Sequence, residues 1–246
     1  MVEILEQPYR LRSYNMNKKA YKNTSFLSSR SAREIRVLCE MTEPSLRLKS
    51  CNVEHLISFF GSARTKPEEP AYKDAYAMSY RLSKWCQSEA PTCAISTGGG
   101  PGVMEAANKG AFVADGLSVG MGISLPSEQC TNDYISDDLD FVFQYFFTRK
   151  YWCVYLAKAF VVMPGGVGTM DELFEILTLR QTGKIKLNTP IVLFDTNFWV
   201  NTIKFPKMIE QGTISEDDTK LFKITSSIDV AIDHITSNMP PLFELV

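Results

Sequence analysis

The chain has 246 residues, of which 45% are hydrophobic and 22% charged, and its 26 Lys plus Arg against 28 Asp plus Glu give a net charge of −2. A chain of this size buries a core without disulfide or metal staples, and this charge gives no case for a nucleic-acid partner, which calls for a basic excess. Six cysteines (Cys39, Cys51, Cys86, Cys93, Cys130, Cys153) with no CxxC pair, and only two histidines (His55, His234), argue for reduced thiols in a cytoplasmic protein and against zinc sites and His-based triads.

In chain order, residues 1 to about 30 hold six basic residues (Arg10, Arg12, Lys18, Lys19, Lys22, Arg30) against two acidic ones (Glu3, Glu6), with no apolar periodicity. This reads as a flexible arm. It lacks the apolar stretch of a secretory signal, and no run anywhere reaches the ~18 apolar residues of a membrane-crossing helix. A short helix over 31–41 follows, with Ser31 as N-cap and Glu34 three residues on. From about residue 53, short apolar runs alternate with longer amphipathic ones. The runs at 55–60, 92–96, 117–123, 159–163 and 190–194 predict strands, and the stretches at 70–89, 102–114, 146–157, 169–182, 197–211 and 228–237 predict helices. Residues 139–145 fit either a further strand or an approach loop. Strand–helix alternation specifies an α/β fold, a doubly wound, Rossmann-like parallel sheet with helices on both faces. Continuously apolar strands agree with burial on both sides. The expected organisation is a basic arm and short helix over 1–50 and one nucleotide-binding catalytic domain over 51–246.

Two glycine-rich turns join strands to helices: Thr97-Gly98-Gly99-Gly100-Pro101-Gly102 and Pro164-Gly165-Gly166-Val167-Gly168-Thr169. Glycine lets backbone N–H groups approach an anion with no Cβ in the way. A helix N-terminus adds free donors and about half a positive charge. Together they form a phosphate cradle. Glycine turns follow strands in many α/β proteins, but two of them at the carboxyl ends of separate strands point to a nucleotide-like ligand. Gly98-x-Gly100-x-x-Val103 lacks the third glycine of the dinucleotide fingerprint, and neither turn carries the GK[ST] ending of a P-loop. The expectation is a mononucleotide, with no cofactor and no metal. Thr169 and Glu172 have the spacing of a capping box, while Asp171 and Glu172 equally suit carboxylates beside a bound phosphosugar. Arg149 and Lys150, after the aromatic pair Phe146-Phe147, fit either a solvated helix face or cations turned toward the same ligand.

The run Pro164-Gly165-Gly166-Val167-Gly168-Thr169-Met170-Asp171-Glu172 resembles the PGGxGTxxE motif of the LOG ("Lonely Guy") family, long called lysine decarboxylase-like. Arg149-Lys150 stands about fifteen residues before it, where that family carries its Arg-Lys pair. Phe60-Gly61-Ser62-Ala63-Arg64 resembles the family's first GS turn. The stretch from Thr97 to Ala106 resembles the TGGGPGxMEA loop of its longer, mostly bacterial branch and departs from the YGGGxxGLMG of short plant-type members. The resemblance runs from about residue 53 to 210. It implies hydrolysis of the N-glycosidic bond of a nucleoside 5′-monophosphate, AMP or a cytokinin ribotide, to free base and ribose 5-phosphate. It implies Arg149 and Glu172 as the catalytic pair, and Gly165, Gly166, Val167, Gly168 and Thr169 around the phosphate. Gly61, Ser62, Gly99, Gly100 and Asp171 join the substrate site by the same likeness, completed by Lys150, Thr178 and Glu128. It further implies a homodimer with the site close to the subunit contact.

The chemistry suits these residue types. Cleaving a ribosyl C–N bond passes through an oxocarbenium-like transition state, which a carboxylate such as Glu172 stabilises or supplies with activated water. Arg149 stays protonated near neutrality, so it clamps phosphate or stabilises charge on the departing base. A non-catalytic nucleotide or molybdenum-cofactor carrier is the alternative. Lysine decarboxylation needs a Schiff-base lysine and a carboxylate at the pyridine nitrogen, a pair that the sequence does not display.

Overall fold

The computed structural model describes residues 19–124, 131–186 and 188–240. Among them the chain forms seven strands, β1 (His55–Phe60), β2 (Cys93–Thr97), β3 (Ser118–Ile123), β4 (Asp140–Phe143), β5 (Ala157–Val162), β6 (Ile191–Phe194) and β7 (Lys223–Thr225). They make one sheet in the order β4-β3-β2-β1-β5-β6-β7, parallel throughout. The helices are α1 (Thr24–Leu27), α2 (Arg33–Ser50), α3 (Pro70–Glu89), α4 (Val103–Val113), α5 (Phe146–Tyr155), α6 (Val167–Gln181), α7 (Thr196–Thr202), α8 (Phe205–Glu210) and α9 (Ile228–Asn238). By internal packing the chain divides into two units, Met1–Cys39 and Glu40–Val246.

The inner strands of the sheet are largely apolar at successive positions because they feed two cores in alternation. Leu56, Phe60, Phe160, Val162, Ile191 and Leu193 pack with Trp152 of α5, Leu173 and Ile176 of α6 and Trp199 of α7. Ile57, Phe59, Ala159, Val161, Val192 and Phe194 pack on the opposite face with Ala75 and Met78 of α3, Ala106 and Ala107 of α4 and Ile235 of α9. The doubly wound α/β sheet read from the sequence is the fold observed.

Several elements differ from expectation. Residues 139–145 contain the edge strand β4, whose alternating burial marks a strand covered on one side. The helix expected over 197–211 is two helices, α7 and α8. Pro206, in the first turn of α8, has no N–H and would clash with the carbonyl of Thr202 in a continuous helix. Strand β7 is three residues long, too short to carry a pattern. The helix expected over 31–41 begins at Arg33 and continues to Ser50, through Pro44. Proline normally ends a helix because it leaves the carbonyl four residues back without a partner. Here Pro44 and Leu48 are buried, and the stranded carbonyl of Glu40 accepts instead from Trp152 Nε1 at 2.8 Å. No helix among the described residues is long and apolar enough to cross a membrane.

Candidate functional site

The chain runs outward from β1 through β2 and β3 to β4, and then outward on the other side through β5 and β6 to β7. The direction reverses between β1 and β5, and ligands of open α/β sheets bind at the carboxyl ends of strands at such a point. Three loops meet there. Ser62 N donates to Pro164 O and Val103 N donates to Ser62 O, both at 3.0 Å, so the turns after β1, β2 and β5 are laced together. The close approach needs glycine at Gly61, where a Cβ would press on the Val103 side chain, and at Gly102, where it would meet the backbone of Ser62 and Ala63. Gly102 also has φ +71°, a region that side chains disfavour.

The second glycine turn is closed at Gly165, where a Cβ would meet the Thr169 side chain, and open beyond it. Gly166 is the N-cap of α6 without a side-chain cap, and a Cβ on Gly166 or Gly168 would find nothing within 4 Å. The first N–H groups of α6 have no intrahelical partner, an arrangement able to receive an anion. Because α6 starts at Val167, Thr169 lies inside the helix and is buried rather than acting as N-cap. The capping-box reading of Thr169 and Glu172 is therefore corrected.

Helices α5 and α6 flank β5 and bring Arg149 and Glu172 together. Arg149 Nε donates to Met121 O at 2.8 Å, and Nη1 lies 3.3 Å from Glu172 Oε1. The guanidinium packs against Gly98, where a Cβ would stand 2.6 Å from Nη2. Arg149 thus spans the end of β3, the first glycine turn and α6. The Glu172 side chain is 6% exposed, and its Oε2 has no hydrogen-bond partner among the described residues. Burial pushes the Glu172 carboxyl above its ordinary range, while Arg149 and then Lys150 oppose the rise. Burial also pushes the neighbouring Cys153 thiol up to about 12, so it is not a thiolate nucleophile near neutrality.

Lys150 points to another face. Its Nζ lies 3.0 Å from Asp171 Oδ2 and 2.5 Å from Glu175 Oε2. Burial works to lower its pKa, but these two carboxylates outweigh that and raise it. Lys150, Val167, Asp171 and Thr178 line an open groove of 620 Å³ with Phe147, Met170 and Phe174. The Thr178 hydroxyl donates to Phe174 O at 2.7 Å. The expected site residues therefore fall on two adjoining faces: loops with Arg149 and Glu172 at the sheet end, and the groove beside them. Glu128 lies outside the described residues.

Sequence reasoning missed the support of the first glycine turn. Gly99 N donates to Thr97 Oγ1 at 2.9 Å, and Thr97 Oγ1 donates to Asn108 Oδ1 at 2.5 Å. Asn132 Nδ2 reaches Gly99 O and Gly100 O, each at 3.1 Å, and Asn108 Oδ1 at 3.0 Å. Asn108 is fully buried, and its one available signal was a polar residue on the apolar face of α4. Asn132 sits in a loop and carried none.

Comparison with known proteins bears on the family and the fold. Residues 104–235, more than half of the chain, match the family described as "Possible lysine decarboxylase". A curated relative, the "Probable cytokinin riboside 5'-monophosphate phosphoribohydrolase LOG4" of Oryza sativa subsp. japonica, is 30% identical over 82 residues, 32% of this chain and 35% of that protein. The match thus spans about a third of the relative's length. Among solved structures, the molybdenum cofactor binding protein of the phototrophic bacterium Rippkaea orientalis is similar in fold, with a TM-score of 0.53 and 23% identity over 75% of this chain and 96% of that one. A structural-genomics target, TM1055, has the same TM-score with 19% identity over 74% of this chain and 99% of its own.

Proposed function

The chain belongs to the possible-lysine-decarboxylase family, the LOG-like proteins, and from that premise we propose that it is a nucleoside 5′-monophosphate phosphoribohydrolase acting on AMP or a cytokinin ribotide. One observation carries this reading: a buried carboxylate with one oxygen unpartnered among the described residues, 3.3 Å from a guanidinium, on the helix whose N-terminal turn is open at Gly166 and Gly168. In the reaction water adds across the glycosidic bond. The C1′–N bond breaks with its electron pair going to the base, a water oxygen bonds C1′, and the water's protons end on the base and on the new hydroxyl. A phosphate held by the Gly165–Thr169 turn puts the ribose beside the next turn of α6, where Glu172 sits. There the carboxylate faces the positive charge developing at C1′, and Arg149 supplies fixed positive charge toward the base or phosphate.

Decarboxylation of lysine fits these residues poorly. A Schiff-base lysine needs its pKa lowered, whereas Lys150, held by Asp171 and Glu175, has its pKa raised. The exposed Phe147, Val167 and Phe174 about the groove support a homodimer, and five free cysteines among the described residues support a reducing compartment such as the cytoplasm.

A panel of nucleoside 5′-monophosphates assayed by chromatography for released base tests the proposal. Free base plus ribose 5-phosphate is expected from at least one of them, and Arg149→Ala should lower that rate by about 10²-fold or more. A wild type that binds nucleotides and releases no base would return the carrier reading.

A further inference from the structure

We propose that Glu40, on α2 and outside the family-matched residues, is a positioning residue that places Arg149 by holding the first turns of α5. Helix α5 has no side-chain cap of its own, its N-cap being Tyr145. Its first N–H groups therefore lack intrahelical partners, and its positive end favours an anion. Glu40 brings that anion from a distant part of the chain. Its Oε1 accepts from Gln144 N at 2.8 Å, and its Oε2 accepts from Thr148 Oγ1 at 2.5 Å. The same residue's carbonyl, freed by Pro44, accepts from Trp152 Nε1 at 2.8 Å. One residue thus fixes α5 just before its start, in its first turn and one turn further on. Thr148 is fully buried and directly precedes Arg149.

Arg47, two turns along α2, holds the strand that leads into α5. Its Nη1 donates to Asp140 O at 3.0 Å, and its guanidinium stands 4.0 Å from the ring centre of Phe141. Arg149 must meet Met121 O, Gly98 and Glu172 at once, so a shift of α5 would misplace its guanidinium. The second half of α2, ahead of the first strand, is in this way coupled to the reacting pair. The coupling rests on the role given to Arg149 above.

Two readouts test it. Hydrogen exchange of the peptide 144–151 without ligand should be faster in Glu40→Ala and close to wild type in Glu40→Gln. In Glu40→Gln the amide oxygen still accepts from Gln144 N and the amide nitrogen donates to Thr148 Oγ1, whose proton then goes to Tyr145 O, 2.8 Å away. For base release, kcat should fall by about 10- to 100-fold in Glu40→Ala, the size expected for a misplaced catalytic group, with little change in KM and recovery in Glu40→Gln. In an Arg149→Ala background, Glu40→Ala should cost no further kcat. Wild-type kcat in a folded Glu40→Ala, or an equal loss with and without Arg149, overturns the proposal. If Glu40→Ala does not fold, Thr148→Val removes one of the two carboxylate contacts alone, and wild-type exchange and kcat there overturn it equally. A wild type releasing no base from any nucleotide would sink the activity instead, and unchanged exchange in Glu40→Ala would then overturn the positioning role by itself.

Discussion

Glu172 is buried, with one oxygen against Arg149 and the other with no partner among the described residues. Burial is the largest influence on its carboxyl and raises the pKa above the ordinary range. The folded chain therefore binds this proton more tightly than the unfolded chain. Stability falls as pH rises from the ordinary carboxylate value through the folded one, and above that window the charge is a net cost. Replacing it by a neutral amide of the same shape removes the cost. Glu172→Gln is expected to abolish base release while melting at or above the wild-type temperature at pH 7. The two melting temperatures should converge below the ordinary carboxylate range. A variant that melts several degrees lower at pH 7 would make Glu172 a structural residue. Position in the sequence showed that Glu172 follows the glycine turn. It could not show that Arg149 meets it, because that contact exists only once α5 and α6 lie on the same side of β5.

At the scale of elements, the glycines of the two turns do different work. Gly102 has φ +71° and backs onto Ser62 and Ala63, whereas Gly168 faces open space. Gly102→Ala should destabilise the protein by about 1–3 kcal/mol, the cost of a side chain in a glycine-only conformation, measured by urea unfolding. Gly168→Val should fold like wild type and lose AMP affinity in a titration, since its side chain would fill only the cradle. Retained affinity would move the phosphate elsewhere. Both glycines looked alike in the sequence, since what separates them is the neighbouring loop. The inner strands β1, β2, β3, β5 and β6 were legible for a simple reason: a strand covered on both faces is largely apolar along its length, and that pattern is local, whereas the one-sided edge strand β4 was left between strand and loop. The interruption between α7 and α8 was also legible in principle, because Pro206 was in view. The run of α2 past Pro44 was not, since its stranded carbonyl is answered by a tryptophan more than a hundred residues away.

At the scale of the whole molecule, the groove beside the reacting pair carries an apolar rim. Of its lining residues, Phe147 is 55% exposed and Val167 is 88% exposed, the apolar exposure on which the proposed homodimer contact would rest. Under the proposed homodimer, Phe147→Asp should shift the sedimentation mass from two chains to one while the monomer stays folded by circular dichroism. A mass of one chain in the wild type would remove the dimer from the proposal. None of this was visible from spacing, because Phe147 and Val167 approach each other only when α5 and α6 pack side by side.

The order of the strands also sets a timetable. Strand β1 pairs with β2 on one side and β5 on the other. On the ribosome β2 follows soon after β1, but β5 appears about 100 residues later, roughly 5–20 s at ordinary rates of synthesis. Through that interval one edge of the most central strand stands open, and Ser62 waits for the carbonyl of Pro164. An open apolar edge is where chains pair wrongly, so the vulnerable period of this protein's life falls before its second glycine turn has been made. No nucleotide can shorten it, because the proposed cradle directly follows β5 in the chain and is made only after it.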